Sequence, residues 1–462
     1  VATLAMNHGH HLTAWYGTIG MGGVVHTINP RLFDEQLVYI ANHAGDRVML
    51  YDKAFQPIID RLKSEWTTIE RFVCFDDGSF DALLDAESGE YEWVSGDERD
   101  PCMLCYTSGT TGNPKGVLYE HRSTVLHAFN ATQPWVLGLS SRETILPVVP
   151  MFHAAAWGLP FAAALAGARF VFSQTNDAAV LCGLMNREKV TLGSGVPTVW
   201  LALFQHIDAT GEKPEHLTQI TVGGSAAPRA MIARFMDMGI KPLHLWGMTE
   251  TSPIATALAP GPSWDTMTRD EKLDVICKQG RVPYGIELRV VDDEGVEQPR
   301  DGESSGRLQV RGPWIVKRYF GMDQDAIDGD GWFDTGDVSV MHPDGTMQIT
   351  DRSKDVIKSG GEWISSVDLE NAAVGCEGVA EAAAIGIYHP KWDERPLLLV
   401  VRKPGSSVTP EQINTHLADH VAKWWLPDEI LFVDDLPHTA TGKLLKTKLR
   451  ERYKDHKLVT LA

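Results

Sequence analysis

YTSGTTGNPKG, residues 106–116, combines three glycines, five hydroxyl side chains and one lysine in eleven residues, directly after a short apolar run. Glycines let backbone N–H groups approach an anion closely, hydroxyls add hydrogen-bond donors, and a lysine adds a mobile positive charge, so this composition suits a polyphosphate. The spacing differs from a Walker A loop, which ends in Gly-Lys-Ser/Thr, because Lys115 is followed by Gly116. Taken alone, the segment is also compatible with a flexible linker, so the rest of the chain must decide.

The overall composition is that of a globular protein, with 462 residues of which 43% are hydrophobic and 22% are charged. This length supports two or three hydrophobic cores, so we expect more than one domain. The formal net charge of −19 opposes binding to nucleic acid and to anionic membranes. The sequence has no uninterrupted apolar run of about 18 residues and no signal-peptide pattern at its start. We therefore predict no nucleic-acid partner and no membrane span.

The six cysteines suggest no disulfide framework, which favours a reducing compartment and a cytoplasmic location. Cys102 and Cys105 form a CxxC pair, but no second pair lies near and the segment has the pattern of a buried strand, so a core role is favoured over zinc or redox chemistry. His8, His10 and His11 cluster in NHGHH without acidic or cysteine partners in the segment. We interpret them as surface or packing residues rather than metal ligands.

Strand-like and helix-like segments alternate between residues 100 and 246, which predicts a largely parallel sheet covered by helices on both faces. Ligands in such sheets gather at the carboxyl ends of the strands, where the Gly-rich segments lie. From about residue 283 to residue 350, β-branched runs separated by turn residues predict a small β-rich subdomain. Asp344 and Gly345 between two such runs indicate a β-hairpin.

A polar, basic stretch, DRSKDVIKSGGEW, begins at Asp351 and precedes a second mixed pattern of about a hundred residues. Helices are predicted at 366–373, 410–422 and 442–453, and strands at 382–387, 396–401 and 430–433. The fold class is therefore α/β, with a large N-terminal domain (1–350) of layered βα sheets plus the β-rich subdomain, a hinge (351–355), and a mobile α+β C-terminal domain (356–462).

Two further clusters suit a nucleotide. GGSAAP at residues 223–228 offers small residues against which a flat adenine can lie, although it is also a tight turn with Pro228 opening a helix. WGMTE at residues 246–250 places the hydroxyl of Thr249 beside the carboxylate of Glu250. These two groups suit an ATP phosphate and a Mg²⁺ ion, respectively.

Two more clusters complete the series. GWFDTGD at residues 331–337 ends in Asp337, which can accept both hydrogen bonds from a ribose diol, and Arg352, fifteen residues later, is a second candidate contact. LPHTATGKLLK at residues 436–446 holds Lys443 in a glycine-containing loop at a predicted helix start. Each cluster has an ordinary structural explanation when it is taken singly, but no such explanation accounts for the occurrence of all of them in one chain.

The order of these motifs over residues 100–446 resembles the adenylate-forming superfamily, which includes acyl-CoA synthetases, firefly-luciferase-like enzymes and the adenylation domains of peptide synthetases. The resemblance implies ATP, Mg²⁺ and CoA as ligands, a small carboxylic acid as substrate, a homodimer, and a hinge at Lys354. It implies catalytic roles for Lys443, Thr249 and Glu250, with Glu250 and Thr107 at the metal. The implied ATP-binding residues are Thr107, Ser108, Gly109, Thr110, Thr111, Gly112, Lys115, Gly224, Ser225, Ala226, Trp246, Gly247, Thr249, Asp337 and Arg352.

A carboxylate is a poor electrophile, so its activation requires in-line attack on the α-phosphate of ATP and departure of pyrophosphate. The barrier is largely charge repulsion, which Lys443, Mg²⁺ and the phosphate loop would counter. No enzyme nucleophile is needed, and we find no nucleophile elbow in the sequence.

The second half-reaction brings a thiol to the acyl-adenylate, and the stretch after the hinge resembles the family loop that lines a pantetheine tunnel once the small domain has rotated. Glu394 in WDERP is a candidate support of that second conformation, the alternative being an ordinary surface acid. The implied thioester-forming residues are Lys358, Gly360, Gly361, Glu362 and Trp363, with Glu394.

The acyl pocket is predicted to involve PMFHAAAWGLP, residues 150–160, with His153 closing the channel and Trp157 as an apolar wall, together with Gly223 and Gly224; core packing is the alternative. No acid occupies residues 150–160, which favours plain carboxylic acids over amino acids. The sequences SGGEWISSVDLEN, residues 359–371, and PMFHAAAWGLP resemble the corresponding motifs of medium-chain fatty acyl-CoA ligases and of the 3-methylmercaptopropionate-CoA ligases of dimethylsulfoniopropionate breakdown. Of these two, we favour the latter.

Three rival classes remain open: an adenylation enzyme that loads a carrier protein, a luciferase-like oxygenase, and a non-catalytic binding module, which would lack the lysine at 443. The chain begins at Val1, within what resembles the middle of the family's N-terminal domain. We therefore expect that the segment that normally precedes this point is missing.

Overall fold

The structure, a computed structural model, describes residues 1–107, 113–360, 362–438 and 444–458, apart from the side chain of Glu362. The first part of the chain forms a six-stranded sheet in the order β4-β3-β1-β2-β5-β6, parallel except for the antiparallel edge strand β6. Its elements are β1 (Ala2–Leu4), α1 (Gly9–Gly20), β2 (Val25–Thr27), α2 (Asp34–Ala44), β3 (Val48–Tyr51), α3 (Gln56–Leu62), β4 (Arg71–Cys74), α4 (Ser79–Asp85), β5 (Pro101–Tyr106), β6 (Gly116–Glu120) and α5 (His121–Thr132).

The βα alternation thus begins at the first residues, whereas the sequence pattern placed its start near residue 100. The strands β1 to β4 contain only three or four residues each, so their apolar runs give little periodic signal.

A second six-stranded sheet follows, in the order β12-β11-β10-β9-β7-β8, again parallel except for one antiparallel edge strand, β12. Its elements are β7 (Thr144–Pro147), α6 (Leu159–Ala166), β8 (Arg169–Phe170), α7 (Ala178–Arg187), β9 (Leu192–Gly195), α8 (Pro197–Thr210), β10 (Gln219–Val222), α9 (Arg229–Asp237), β11 (Lys241–Gly247), β12 (Ile254–Ala257) and α10 (Arg269–Ile276). The single sheet that we expected is therefore two sheets, because apolar runs mark strands without showing which strands pair.

The β-rich subdomain is an antiparallel sheet of four strands in sequence order: β13 (Glu287–Val291), β14 (Gly306–Arg311), β15 (Phe333–Met341) and β16 (Met347–Arg352). The predicted hairpin between β15 and β16 is confirmed. Gly345 has a φ of +82°, and its N–H donates to the His342 carbonyl oxygen at 2.9 Å. A glycine adopts this left-handed conformation without the strain that a side chain would add.

The smaller C-terminal domain has its own sheet, β18-β17-β20-β19, with β21 parallel to β20. Successive residues of β20 point to opposite faces, so Leu398 and Leu397 belong to two separate hydrophobic cores, both within this domain. The elements are β17 (Ile357–Ser359), β18 (Glu362–Ile364), α11 (Ser366–Val374), β19 (Val379–His389), β20 (Asp393–Arg402), α12 (Pro410–Ala418), β21 (Glu429–Phe432) and α13 (Lys446–Arg452).

Two predicted helices of this domain have different bounds. The helix expected over 410–422 ends at Ala418, and residues 423–425 form a separate 3₁₀ turn. Of the helix expected over 442–453, residues 442 and 443 lie outside the described ranges, and the observed helix begins at Lys446. In the described part of the chain, no helix has both the length and the apolar character that crossing a bilayer requires.

The cysteine and histidine clusters near the first sheet have packing contacts. Cys102 and Cys105 are buried on β5, where the Cys102 thiol donates to the Tyr119 carbonyl oxygen. His8 Nε2 lies 2.8 Å from Asp52 Oδ1, and buried His11 is held by the Met6 carbonyl and the Thr3 hydroxyl. These contacts agree with the core and packing roles that we predicted.

Candidate active site

The described ranges leave out part of the predicted site. Ser108, Gly109, Thr110, Thr111, Gly112, Gly361 and Lys443 lie outside them, as does the side chain of Glu362. The other predicted residues form two groups, one at the carboxyl ends of the strands in the N-terminal domain and one in the C-terminal domain.

The two ends of the phosphate-loop segment are held together by strands β5 and β6. Tyr106 pairs with Gly116 in this hairpin, and the Thr107 N–H donates to the Lys115 carbonyl oxygen at 2.9 Å. The N–H of Phe320 donates to the carbonyl oxygen of Gly116, which ties the hairpin to the loop that follows β14. The two described ends of the segment are therefore held side by side, with Lys115 on the outgoing side.

Glu250 lies in a 3₁₀ turn, Thr249–Thr251, directly after β11. Its side chain is 7% exposed, and Tyr319 donates its hydroxyl to Glu250 Oε1 at 2.8 Å. Burial raises the pKa of Glu250, opposed by this hydrogen bond and by the charges of Arg352 and Lys115. The Glu250 carboxylate is therefore stabilised by the positive charges of two side chains that are predicted to contact the nucleotide.

Tyr319 joins two predicted site residues that are distant in sequence. Besides its hydrogen bond to Glu250, its ring lies 4.7 Å from Lys115 Nζ, a cation–π contact. Sequence reasoning missed Tyr319 because it lies in the irregular loop between β14 and β15, outside every motif. A second tyrosine, Tyr119 on β6, donates its hydroxyl to the Thr249 carbonyl oxygen at 2.8 Å and was missed because it lies outside the motifs that were singled out.

Gly247 ends β11 in a position where no side chain fits. A Cβ placed there would lie 1.7 Å from the Pro253 carbonyl oxygen. This close approach folds the Thr249–Thr251 turn back over the end of the strand and fixes the direction in which Glu250 enters the site.

Trp246, Asp337 and Arg352 are in direct contact. The register of β15 and β16 places Asp337 opposite Arg352, and Arg352 Nε lies 2.7 Å from Asp337 Oδ1. Trp246 Nε1 donates to Asp337 Oδ2 at 3.0 Å, and Asp337 is only 1% exposed. The three residues that we predicted to contact adenosine therefore form one hydrogen-bonded unit across two sheets.

The predicted acyl-pocket residues also converge. A Cβ on Gly223, at the end of β10, would lie 3.4 Å from the ring of buried Trp157. Gly224 has a φ of +82°. His153, in the segment 150–160, lines a cleft together with Thr107, so this segment reaches the start of the phosphate loop. Of the remaining predicted adenine contacts, Ser225 is exposed and Ala226 is half-buried.

The segment before α6 has an unexpected backbone. Residues 154–157 all have φ between +40° and +58°, a left-handed turn that ends at Gly158 with a φ of +72°. Left-handed conformations of residues with a Cβ are unfavourable by about 1–2 kcal/mol each. Helix α6 begins at the next residue, Leu159. The strained turn presents the Trp157 side chain towards Gly223.

The predicted thioester loop lies in the C-terminal domain with Glu394 against it. The Lys358 N–H donates to Glu394 Oε2 at 2.9 Å, and Trp363 on β18 pairs with Lys358 on β17. Gly360 has a φ of +64°, and a Cβ there would lie 2.8 Å from the ring of Trp392. Trp392 was not predicted, because nothing in its local sequence indicates contact with the loop.

Lys354, the predicted hinge, is exposed in the turn between β16 and β17. The N–H groups of Asp355 and Val356 both donate to the Arg352 carbonyl oxygen, at 2.8 and 2.9 Å. The turn therefore starts at Arg352, the residue that pairs with Asp337.

Comparison with known proteins agrees with this architecture. The sequence profile described as AMP-binding enzyme matches residues 1–320, and the profile described as AMP-binding enzyme C-terminal domain matches residues 368–443. The chain is 47% identical to a medium-chain-fatty-acid–CoA ligase of Ectopseudomonas oleovorans, over 98% of this chain and 86% of the relative. It is 46% identical to a 3-methylmercaptopropionyl-CoA ligase of Ruegeria pomeroyi, over 98% of this chain and 87% of the relative.

The fold is similar to that of solved adenylate-forming enzymes. The ATP-bound structure of MatB from Rhodopseudomonas palustris aligns with a TM-score of 0.85 at 26% identity, covering 98% of this chain and 89% of the other. The family and this ATP-bound neighbour support ATP as a substrate. The chain therefore belongs to the AMP-binding enzyme family, and it is an AMP-forming acyl-CoA ligase.

Proposed function

We propose that this ligase activates a short or medium carboxylic acid, with 3-methylmercaptopropionate as the leading substrate and medium-chain fatty acids as the alternative. Relatives named for each substrate are almost equally similar to this chain, so sequence identity does not choose between them. The observation that supports a short acid is the position of Trp157, whose buried ring packs against Gly223 at the end of β10. A wall at this point shortens an apolar pocket.

The proposed reaction has two steps. The carboxylate oxygen attacks the α-phosphorus of ATP, the bond to the β-phosphate oxygen breaks, and pyrophosphate leaves with its electron pair, giving acyl-AMP. The CoA thiol then attacks the acyl carbonyl, AMP leaves, and the thiol proton is released. Lys443 is proposed to neutralise charge in the first step, while Lys115 holds the leaving pyrophosphate.

The residues around Glu250 fit a magnesium ion. Glu250 is a buried carboxylate without a lysine or arginine bound directly to it in the described structure, which matches the preference of Mg²⁺ for one or two carboxylates together with substrate phosphates. Thr107 is the second proposed ligand. When bound, the ion supplies positive charge that offsets the charge of the phosphate oxygens.

The proposed thioester step uses a second orientation of the C-terminal domain, reached by rotation about Lys354, in which Lys358, Gly360 and Trp363 line the channel for pantetheine. The contact between Glu394 and the Lys358 N–H supports a role for Glu394 in shaping this loop. A cytoplasmic location also belongs to the proposal, since the six cysteines all lie in described ranges and none forms a disulfide. The homodimeric state stays a prediction.

The substrate proposal is tested with a panel of straight-chain and methylthio carboxylic acids of graded length. We expect CoA-dependent AMP release to show its highest kcat/KM with 3-methylmercaptopropionate. The value should fall by about fivefold for each methylene beyond the pocket's length, because each methylene that does not fit forfeits about 1 kcal/mol. The measurement is steady-state AMP release with ATP, Mg²⁺ and CoA.

The Trp157→Ala variant sharpens the same experiment, because removal of the wall is expected to move the optimum towards longer acids. An optimum at medium-chain acids in the unmodified enzyme would favour the alternative substrate. Pyrophosphate release without thioester formation on CoA addition would instead indicate an enzyme that loads a carrier protein, and light emission would indicate a luciferase-like oxygenase; either result contradicts the proposal.

The role of Glu250 leads to a pH prediction for Tyr319→Phe. The Tyr319 hydroxyl stabilises the ionised carboxylate and so holds the pKa of Glu250 below the value that burial alone would produce. Its removal raises that pKa, so at acidic pH a larger fraction of Glu250 is protonated and unable to bind Mg²⁺. Adenylate formation is therefore expected to fall several-fold at the acid end of the profile and little at the alkaline end.

Pyrophosphate release measured across the pH range checks this shift, with Tyr284→Phe, at an 84% exposed tyrosine, as the matched control. Phenylalanine keeps the ring beneath Lys115, so only the hydroxyl is lost. A uniform loss at every pH would argue against the ionised carboxylate as the metal ligand.

A further inference from the structure

A buried charge cluster lies where the last strand before the hinge meets the C-terminal domain. Lys446, the first residue of α13, places Nζ 2.6 Å from Ser366 Oγ and 2.7 Å from Glu370 Oε1, both on α11. The side chains of Lys446 and Glu370 are only 7% and 12% exposed. Asp351 on β16, itself fully buried, accepts the Ser366 N–H at 2.6 Å.

The position of the Lys446 ammonium is strongly determined. A buried lysine is unfavourable unless carboxylates and hydrogen bonds compensate for its lost hydration. Burial lowers the pKa of Lys446, but the adjacent carboxylates Glu370 and Asp351 outweigh it, so the side chain stays charged. Glu370 is fixed in turn, because its Oε1 also accepts the Ala384 N–H from β19 at 2.8 Å. Strands β16 and β19 therefore each hold one of the two α11 residues that contact the ammonium group.

Lys446 closely follows the segment 439–443, the predicted loop that contains Lys443. The two residues are three positions apart, so their Cα atoms are separated by at most about 11 Å. The base of the loop is closed by a bridge between His438 and Leu444 and by the Leu445 N–H, which donates to the Pro437 carbonyl oxygen at 2.8 Å. Leu444 packs against one of the two cores of the C-terminal domain, and Lys446 is the first charged side chain after Lys443 that is buried in this domain.

We propose that Lys446 is a positioning residue for adenylate formation: its buried contacts with Glu370 and Ser366 hold the base of the 439–443 loop and thereby aim Lys443. This inference rests on the proposed catalytic role of Lys443. Lys446 itself touches neither substrate nor reacting atoms. Because thioester formation uses the loop around Lys358 instead, the anchor matters for one half-reaction and not for the other.

The test separates the half-reactions in the full chain. For Lys446→Met we expect kcat for pyrophosphate release to fall by about tenfold to a hundredfold, the range typical of a misplaced catalytic group. The KM for ATP should change by less than about twofold, since the proposed nucleotide contacts other than Lys443 lie outside the C-terminal domain. Thioester formation from supplied acyl-adenylate and CoA should also stay within about twofold. A role confined to stability would affect both half-reactions together.

Two further variants keep the result decisive. Lys446→Met leaves Glu370 without its cation, so the double variant with Glu370→Gln removes both charges and is expected to fold with the same selective loss. Lys448→Met removes a cation from an exposed position of the same helix and should have no effect. Normal adenylate formation in a folded double variant, or equal loss of both half-reactions, overturns the proposal. If Lys443→Ala retains adenylate formation, the proposed catalytic role of Lys443 is wrong. If Lys443→Ala loses adenylate formation but the Lys446 variants retain it, only the positioning role of Lys446 is wrong.

Discussion

Replacement of Lys443 by alanine is expected to lower the rate of acyl-adenylate formation by about a thousandfold, while thioester formation from supplied acyl-adenylate stays within about twofold of the unmodified enzyme. In the first step an anionic carboxylate approaches an anionic α-phosphate, and a lysine that contacts both groups offsets their repulsion. In the second step the attacking thiol meets a carbonyl carbon already activated by AMP, so this charge is no longer needed.

Pyrophosphate release and acyl-CoA formation, measured separately on the same preparation, check the asymmetry. Lys454→Ala is the matched control, because Lys454 is an exposed lysine of the same domain. Equal loss of both half-reactions would show that Lys443 supports the folded domain rather than the first step, and retention of both would remove it from the mechanism.

The β-rich subdomain shows where sequence patterns suffice to predict structure. The bounds of β13 and β14 follow directly from alternating β-branched runs, and the turn at Asp344 and Gly345 sets the pairing of β15 with β16. The register at that turn, continued without interruption, would place Asp337 opposite Asp351. A β-bulge between Val338 and Ser339 shifts the pairing by one residue and brings Arg352 opposite Asp337 instead. The local sequence therefore predicts the hairpin, whereas the contact between Asp337 and Arg352 depends on an irregularity that the pattern does not show.

Other parts of the fold depend on contacts between distant segments. Strands β1 to β4 of the first sheet were not predicted individually, since such short strands are identified by pairing rather than by periodicity. The left-handed turn at 154–157 was not predicted either, because alanine and tryptophan rarely adopt positive φ and only Gly158 signals it.

The same limit applies to the site. Tyr319 lies in a loop with no motif, and Trp392 stands in WDERP, where only Glu394 was singled out, so only the tertiary structure reveals their contacts with predicted residues. The hydrogen bond from Trp246 to Asp337 joins positions 91 residues apart. Motifs therefore identify the groups that carry charge or hydroxyls, whereas the residues that orient those groups are found from their contacts.

Replacement of Asp337 by alanine is expected to raise the KM for ATP by about a hundredfold or more. Two hydrogen bonds from a ribose diol to a carboxylate contribute about 1.5–3 kcal/mol each, which together correspond to that factor. Some stability is lost as well, because Trp246 Nε1 becomes a buried donor without its acceptor. The ion pair with Arg352 contributes less, since the Arg352 side chain is 47% exposed and solvent screens its charge.

The decisive measurement compares ATP with 2′,3′-dideoxy-ATP in the unmodified enzyme and in two variants. Asp337→Asn retains an oxygen acceptor for Trp246, which separates nucleotide binding from local packing, and Asp334→Ala removes an exposed carboxylate, paired with Arg307, from the same strand as a control. If Asp337 binds the ribose diol, the unmodified enzyme discriminates strongly against the dideoxy analogue and Asp337→Ala does not, because the two changes remove the same interaction and their effects are not additive. Undiminished discrimination in Asp337→Ala would place the diol elsewhere. The unit of Trp246, Asp337 and Arg352 would then be a structural link between the second sheet and the β-rich subdomain rather than a nucleotide contact.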